Sequence, residues 1–176
     1  MLVLAVAAAA TALAAFGEAS ALEDRLKAAF LYKFAGYVEW PEGAFRDNGS
    51  PIAIGVAGSE TIAQELEQAL PGHKVGERTM TVHRIEPGAG DLAGYQILFV
   101  GRGVESARVA ELLRRASGKP VLTVTDATGD APSGSVINFL NDAGHVRFDI
   151  AMDAASRNGL HLRAPLLAVA RKVSTP

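Results

Sequence analysis

Cysteine is absent from the chain, and several other features that usually indicate a function are scarce. Without thiols, the protein cannot form disulfides, use a cysteine nucleophile or bind zinc through thiolates. The formal net charge is only −2, so no strong field attracts nucleic acid or anionic lipid. Residues 2–16 form an apolar run, but it is shorter than the ~20 residues that a membrane-spanning helix needs. The sequence therefore predicts no nucleic-acid partner and no thiol chemistry.

The overall composition is typical of a folded globular protein. Of the 176 residues, 49% are hydrophobic and 20% are charged, a balance that argues against bulk disorder. A chain of this length buries enough apolar surface to fold as one domain without disulfides or metals.

The N-terminal region has the pattern of an export signal. An apolar stretch over residues 2–16 is followed by the small residues Ala19, Ser20 and Ala21, and then by a charged segment. This order predicts a signal peptide over 1–21, cleavage after Ala21 and a mature domain over 22–176 in the periplasm. An uncleaved anchor and a buried alanine-rich helix are the alternatives.

Strand-like and helical segments alternate along most of the mature chain. The predicted strands are 52–57, 79–85, 96–100, 121–125, 135–140 and 145–151. The predicted helices are 22–37, 60–70, 104–116, 153–158 and 165–173. Strands that alternate with helices indicate crossover units and a parallel sheet, whereas the last two strands flank a turn typical of a hairpin. We therefore expect an α/β fold: a three-layer sandwich with a mostly parallel sheet, an added antiparallel hairpin and helices on both faces.

The motifs that usually carry catalysis or cofactor binding are incomplete. Gly101-Arg-Gly103 lies between a strand and a helix, but Ser106 replaces the third glycine of a dinucleotide fingerprint, so a tight turn is favoured. Asp126, Asp130 and Asp142 lack regular ligand spacing and are interpreted as solvated turn residues. The four histidines form no zinc motif. We expect no catalytic residues, no metal and no cofactor.

A basic pair precedes the last predicted helix. His161 and Arg163 alternate just before Pro165, and the free N–H groups at a helix start favour an anion. These two residues, with Arg46 as a third basic candidate, are the predicted binding residues for a small anionic ligand. Solvated basic side chains at a turn are the alternative.

The aromatic residues are concentrated in one short segment. Residues 30–40 contain five of the eleven Phe, Tyr and Trp side chains. The helical period places Phe30 and Phe34 on the main apolar stripe, which predicts that both belong to the core. Leu31 and Tyr32 lie off that stripe, and together with Trp40 they are the candidate contacts to a protein partner, since aromatics are enriched in interfaces.

Three segments of the chain resemble the YfiR family of periplasmic proteins. The first is residues 27–41, KAAFLYKFAGYVEWP, which is similar to the N-terminal signature of that family. The second is a central block of this chain, which resembles the central block of the family through VLTVTD at 121–126, INF at 137–139 and VRFDI at 146–150. The third is GLHLRAPLLAVAR at 159–171, which resembles the closing helix of the family. The resemblance covers nearly the whole mature chain in the same order.

The resemblance implies an exported, non-catalytic α/β protein that is commonly a homodimer. The best-known member represses an inner-membrane diguanylate cyclase by binding its periplasmic part, which lowers cyclic-di-GMP and biofilm formation. The resemblance thus implies such a cyclase or a similar sensor as the partner. The rival hypotheses are a periplasmic module that binds a small anionic ligand and an enzyme of another kind.

Overall fold

The computed structural model describes residues 2–86, 92 and 94–175, with side chains from Gly17 onward. The helices are α1 (Leu2–Phe34), α2 (Glu60–Ala69), α3 (Ser106–Ala116), α4 (Met152–Arg157) and α5 (Ala164–Val169). The strands are β1 (Val38–Glu39), β2 (Ile52–Ala57), β3 (Lys74–Val75), β4 (Arg78–Arg84), β5 (Ile97–Val100), β6 (Leu122–Thr125), β7 (Ile137–Asp142), β8 (His145–Ala151), β9 (His161–Leu162) and β10 (Lys172–Ser174). A short 3₁₀ turn, Ala35–Tyr37, follows α1.

The central sheet has eight strands in the order β10-β8-β7-β6-β5-β2-β4-β3. The pairs from β4 through β2, β5 and β6 to β7 are all parallel, because each crossover returns the chain to the same edge. The β7–β8 pair is antiparallel, as the predicted hairpin requires. The mixed, mostly parallel sheet and the α/β fold are therefore confirmed.

Apolar side chains form a core on each face of this sheet. One core packs α1 and α2 against alternate strand residues such as Ile54 and Phe99. The other packs α3, through Leu112, against Leu98 and Val100, which point to the opposite face. The predicted placement of helices on both faces is confirmed.

The aromatic segment contributes most of its rings to the first core. Phe34 is buried and lies between Phe148, with ring centroids 5.1 Å apart, and Phe139, at 5.8 Å. Phe30 is half-buried and contacts the same rings. The four phenyl rings thus join α1 to the β7–β8 hairpin, which agrees with the predicted core role of Phe34 and the packing of Phe30.

Two glycines explain the Gly101-Arg-Gly103 turn. A Cβ atom at Gly101 would lie 2.8 Å from the carbonyl oxygen of Gly58, and one at Gly103 would lie 2.9 Å from the same atom. Only glycine allows the loop after β5 to approach the loop after β2 this closely. The glycines therefore serve close packing, in agreement with the interpretation as a turn.

The last predicted helix is too long. Helix α5 ends at Val169, Ala170 is extended, and residues 172–174 form β10, which pairs in parallel with β8. The open edge of the β8 strand supplies backbone partners that outweigh the local helical pattern. The short strands β1, β3 and β9 were also absent from the sequence-based assignment.

Candidate functional site

A two-stranded ribbon positions the predicted anion-binding residues. Strands β1 and β9 pair antiparallel, with Glu39 opposite His161 and Val38 opposite Leu162. Val38 and Leu162 are buried, whereas Glu39 and His161 are exposed, as the alternation of a half-buried strand requires. The backbone N–H of Arg163 donates to the carbonyl of Tyr37 at 2.9 Å and extends the ribbon by one bond. The ribbon therefore presents His161 and Arg163 on the protein surface.

Arg163 is already paired with an acid. Its Nε lies 3.2 Å from Oε1 of Glu39, and both side chains are more than half exposed, at 55% and 59%. A pair this exposed is weak, typically below ~1 kcal/mol, because water screens it. A bound anion would compete with the Glu39 carboxylate for Arg163. Because the ion pair is weak, the anion could displace Glu39 at small cost.

A buried indole N–H lies beside this ribbon. Within the described residues, Nε1 of Trp40 is buried and has no hydrogen-bond partner. The ring of Trp40 packs edge-on against Phe45, with centroids 6.1 Å apart. A buried donor without an acceptor is uncommon, and a ligand oxygen would satisfy it. Trp40 is thus a candidate ligand contact as well as a candidate partner contact.

Arg46 is exposed in the bend that follows Phe45. Among the described residues, no hydrogen bond or ion pair joins Arg46 to the ribbon, where Arg163 is paired with Glu39. The participation of Arg46 in the anion site remains a prediction. The ribbon does bring His161 and Arg163 together on the surface.

The structure changes the set of candidate partner contacts. Leu31 is completely buried, at 0% exposure, so its predicted outward placement is wrong. The reason is that α1 packs against α2 as well as the sheet, so residues off the main stripe are covered too. Tyr32 is half-buried and its ring lies 5.0 Å from that of His73. Tyr32 and Trp40 remain the candidates.

A partly buried cluster of four charged side chains was not predicted from the sequence. Nζ of Lys27, on α1, donates to Oε1 of Glu23 at 2.5 Å and to Oδ2 of Asp126 at 2.7 Å. Arg102 donates through Nη2 to Glu23 at 2.8 Å and to Oδ1 of Asp126 at 2.9 Å. Lys27 is 1% exposed and Asp126 7%, whereas Arg102 is half-exposed. We call these four residues the Lys27 cluster.

The cluster lies where the parallel strands β5 and β6 end, since Arg102 and Asp126 follow them directly. Asp126 had been interpreted as a solvated turn residue, and that interpretation is wrong because its carboxylate is held by two cations. Two cations and two carboxylates balance, which makes the burial of Lys27 tolerable. The cluster can hold α1 against the carboxyl edge of the sheet.

Comparison with known proteins identifies the family. A family model described as YfiR/HmsC-like matches residues 24–171, well over half of the chain. The chain belongs to the YfiR/HmsC-like family. The matched region includes the β1–β9 ribbon and three residues of the Lys27 cluster, and it begins one residue after Glu23. Among curated proteins, none matches the chain.

The pKa values of two neighbouring acids of this YfiR/HmsC-like chain, Glu23 and Asp24, are shifted in opposite directions. Burial alone would raise the pKa of Glu23, but hydrogen bonds from Lys27 and Asn141 outweigh it and lower that pKa below its ordinary value. Burial raises the pKa of Asp24, and the nearby carboxylates of Asp126 and Glu23 add to this. The hydrogen bond from Arg102 to Asp126 raises the pKa of Arg102. The cluster therefore favours the charged form of Glu23, whereas burial disfavours the charged form of Asp24.

One local signal could have indicated the cluster. Glu23 and Lys27 are spaced i, i+4 on a helix, a spacing that favours an ion pair. The second partner of Lys27, Asp126, is 99 positions away, so the local sequence gives no sign of that ion pair.

Neither a spanning segment nor a metal site is found in the part of the chain that the structure describes. No helix there is long and apolar enough to cross a membrane. No group of three or more His, Asp or Glu residues there is arranged to hold a metal ion.

Proposed function

We propose that this YfiR/HmsC-like protein is a non-catalytic periplasmic regulator that binds and represses a membrane-bound diguanylate cyclase or a similar sensor. Repression would lower cyclic-di-GMP and biofilm formation. The observation that carries the proposal is the family match over residues 24–171, which spans every strand from β1 to β9. The sequence resemblance over residues 27–41 supports the same family.

Regulation would follow from a binding equilibrium. The protein would bind the periplasmic part of its partner in one state and release it in the other, and a signal that prefers one state would shift the balance. Tyr32 and Trp40 are the proposed partner contacts, because both are aromatic and only partly covered within one chain. We further propose that the protein is a homodimer in this role.

A pull-down from native inner membranes tests the partner. Tagged protein added from the periplasmic side should recover a membrane protein that carries a diguanylate cyclase domain. The Tyr32→Ala variant should recover less of it, whereas Tyr37→Ala, at an exposed tyrosine outside the proposed contacts, should recover the usual amount. Recovery of no cyclase or sensor by the unmodified protein would contradict the proposal.

The absence of catalysis is tested separately. The buried charged side chains of the Lys27 cluster are used in ion pairs, which is typical of a structural role. Purified protein should neither make nor hydrolyse cyclic-di-GMP. Turnover that a single substitution abolishes would overturn this part of the proposal.

A second candidate function is the binding of a small anionic ligand at the ribbon. The observation that favours it is the buried N–H of Trp40, which has no hydrogen-bond partner among the described residues and belongs to the residue that follows β1 of the ribbon. Calorimetry with phosphate or acetate should show binding that Arg163→Ala weakens and Arg147→Ala, at an exposed arginine elsewhere, leaves unchanged. Equal affinity of all three proteins, or no binding, would count against this candidate.

A further inference from the structure

A groove lies between helix α3 and the loop that joins β6 to β7. It encloses about 650 Å³, within the roughly 300–1,000 Å³ of small-molecule sites. It opens where the parallel strands β5 and β6 end, which is the edge of an α/β sheet where ligands usually bind. The groove is separate from the β1–β9 ribbon and from the candidate partner contacts.

One wall of the groove is a single face of α3. The side chains of Val109, Ala110, Leu113 and Arg114 line it at the three- and four-residue spacing of one helix face. Leu113 is buried in the floor, whereas Ala110 is exposed. This wall is therefore apolar along its length, with Arg114 at its rim.

The opposite wall is a loop whose two ends are fixed by buried side chains. Asn138 accepts a hydrogen bond from the N–H of Ala127 at 3.0 Å and donates to its carbonyl at 3.2 Å. The hydroxyl of Thr123 donates to the carbonyl of Gly134 at 2.7 Å. These bonds fix both ends of the loop beside the groove.

Charged side chains lie along the groove, and the cations outnumber the acids. Its lining includes Arg102, Arg114 and Arg157 but only two acids, Asp126 and Asp153. Asp126 is buried, and Lys27 behind the groove already neutralises part of its charge. Arg102 is paired with Asp126 and Arg157 with Asp153. Arg114 is paired with Glu111 at 2.5 Å, but Arg114 is 71% exposed, so water screens this pair and an anion can displace Glu111 at small cost. A ligand in the groove would thus meet an apolar floor and, at the rim, an arginine whose present pair is weak.

We propose that this groove binds a small amphipathic anion, with an apolar body on the floor and a carboxylate or phosphate received by an arginine of the rim. The guanidinium of the exposed Arg114 is planar and suits such anions, and its surface pair with Glu111 is weak. The apolar body replaces water over the floor of the groove. The proposal does not rest on the proposed regulatory function, since it uses none of the partner residues.

A blocking substitution tests whether the ligand occupies the groove. The probe is decanoate, titrated into the purified protein by calorimetry and two-dimensional NMR. Ala110→Trp fills the groove and should weaken decanoate binding by at least about tenfold, as the loss of buried apolar contact implies. Ala107→Trp adds the same bulk to α3 outside the lining and should leave the affinity unchanged.

A charge substitution makes the same test without added bulk. Arg114→Gln should weaken decanoate by roughly tenfold, because a charge-assisted hydrogen bond is lost, whereas Arg108→Gln on the same helix should not. Decylammonium, with the same chain and the opposite charge, should bind much more weakly. The proposal fails if decanoate does not bind, if decylammonium binds equally well, or if the control variants lose as much affinity.

Discussion

Nζ of Lys27 lies 2.7 Å from Oδ2 of Asp126, and this bond joins the first helix of the domain to the end of strand β6. Both side chains are nearly inaccessible to water. In such surroundings an ionised group is stable only with its partners in place, so each member of the Lys27 cluster depends on the others. The cluster thus couples α1 to the carboxyl edge of the sheet.

Removing the buried ammonium should strongly destabilise the protein. Lys27→Met leaves Asp126 and Glu23 with Arg102 as their remaining cation, and breaking a buried pair typically costs about 3–5 kcal/mol. Lys33→Met, at an exposed lysine of the same helix, should change the free energy of unfolding by less than about 0.5 kcal/mol. Urea denaturation of both variants measures the difference.

A double-mutant cycle tests whether the pair itself is responsible. Asp126→Asn and Lys27→Met should show a coupling of about 0.5–3 kcal/mol, as expected for residues in one network. Additive effects within experimental error would show that Lys27 stabilises the fold by packing alone.

The pH dependence of stability should depend on Glu23. Its pKa is lowered in the folded protein, so its contribution is present above the ordinary value of 4.5 and is lost as the pH falls through the lower folded pKa. Glu23→Gln should lower the free energy of unfolding at neutral pH. Below pH 4.5, the free energy of unfolding of this variant should fall less steeply with decreasing pH than that of the unmodified protein. Chemical denaturation at several pH values measures it, and an unchanged profile would contradict the assignment.

The adjacent acid should behave in the opposite way. Burial raises the pKa of Asp24, so the folded protein binds a proton there more tightly than the unfolded chain does. The contribution of Asp24 to stability therefore falls as the pH rises through its unfolded and folded pKa values. Asp24→Asn should raise the free energy of unfolding at neutral pH, whereas a loss comparable to that of Glu23→Gln would contradict the expected sign.

Alanine substitutions at two neighbouring residues of α1 should affect different properties, stability at Leu31 and association at Tyr32. Leu31→Ala creates a cavity in the core and should cost about 2–5 kcal/mol of stability. Tyr32→Ala should cost less, because Tyr32 is only partly buried, and should weaken self-association or partner binding. Thermal melts and analytical ultracentrifugation separate the two effects. Equal destabilisation with unchanged association would remove Tyr32 from the proposed interface.

The central strands could be predicted because the sequence pattern that specifies each strand lies within the strand and its flanking turns. Residues 52–57, 97–100 and 122–125 are short apolar runs between turn residues, and each is a buried strand in the structure. The start of α2 is local as well, since the side chain of Ser59 accepts from the N–H of Ile62.

The remaining elements depend on contacts distant in sequence. Strand β10 forms only because the edge of β8 is available, so a local helical pattern over 165–173 was misleading. The Lys27 cluster likewise needs Arg102 and Asp126 to follow adjacent strands, which a single sequence does not reveal. The exposure of Leu31 was misjudged because α1 is covered by α2 as well as by the sheet.

The most direct test of the proposed function measures cellular cyclic-di-GMP. Deleting the gene should raise its concentration, and restoring the full chain should lower it again. A version that starts at Leu22, without the predicted signal peptide, should not restore it, because the protein would stay on the wrong side of the membrane. An unchanged concentration on deletion, or full restoration by the version without residues 1–21, would contradict a periplasmic repressor.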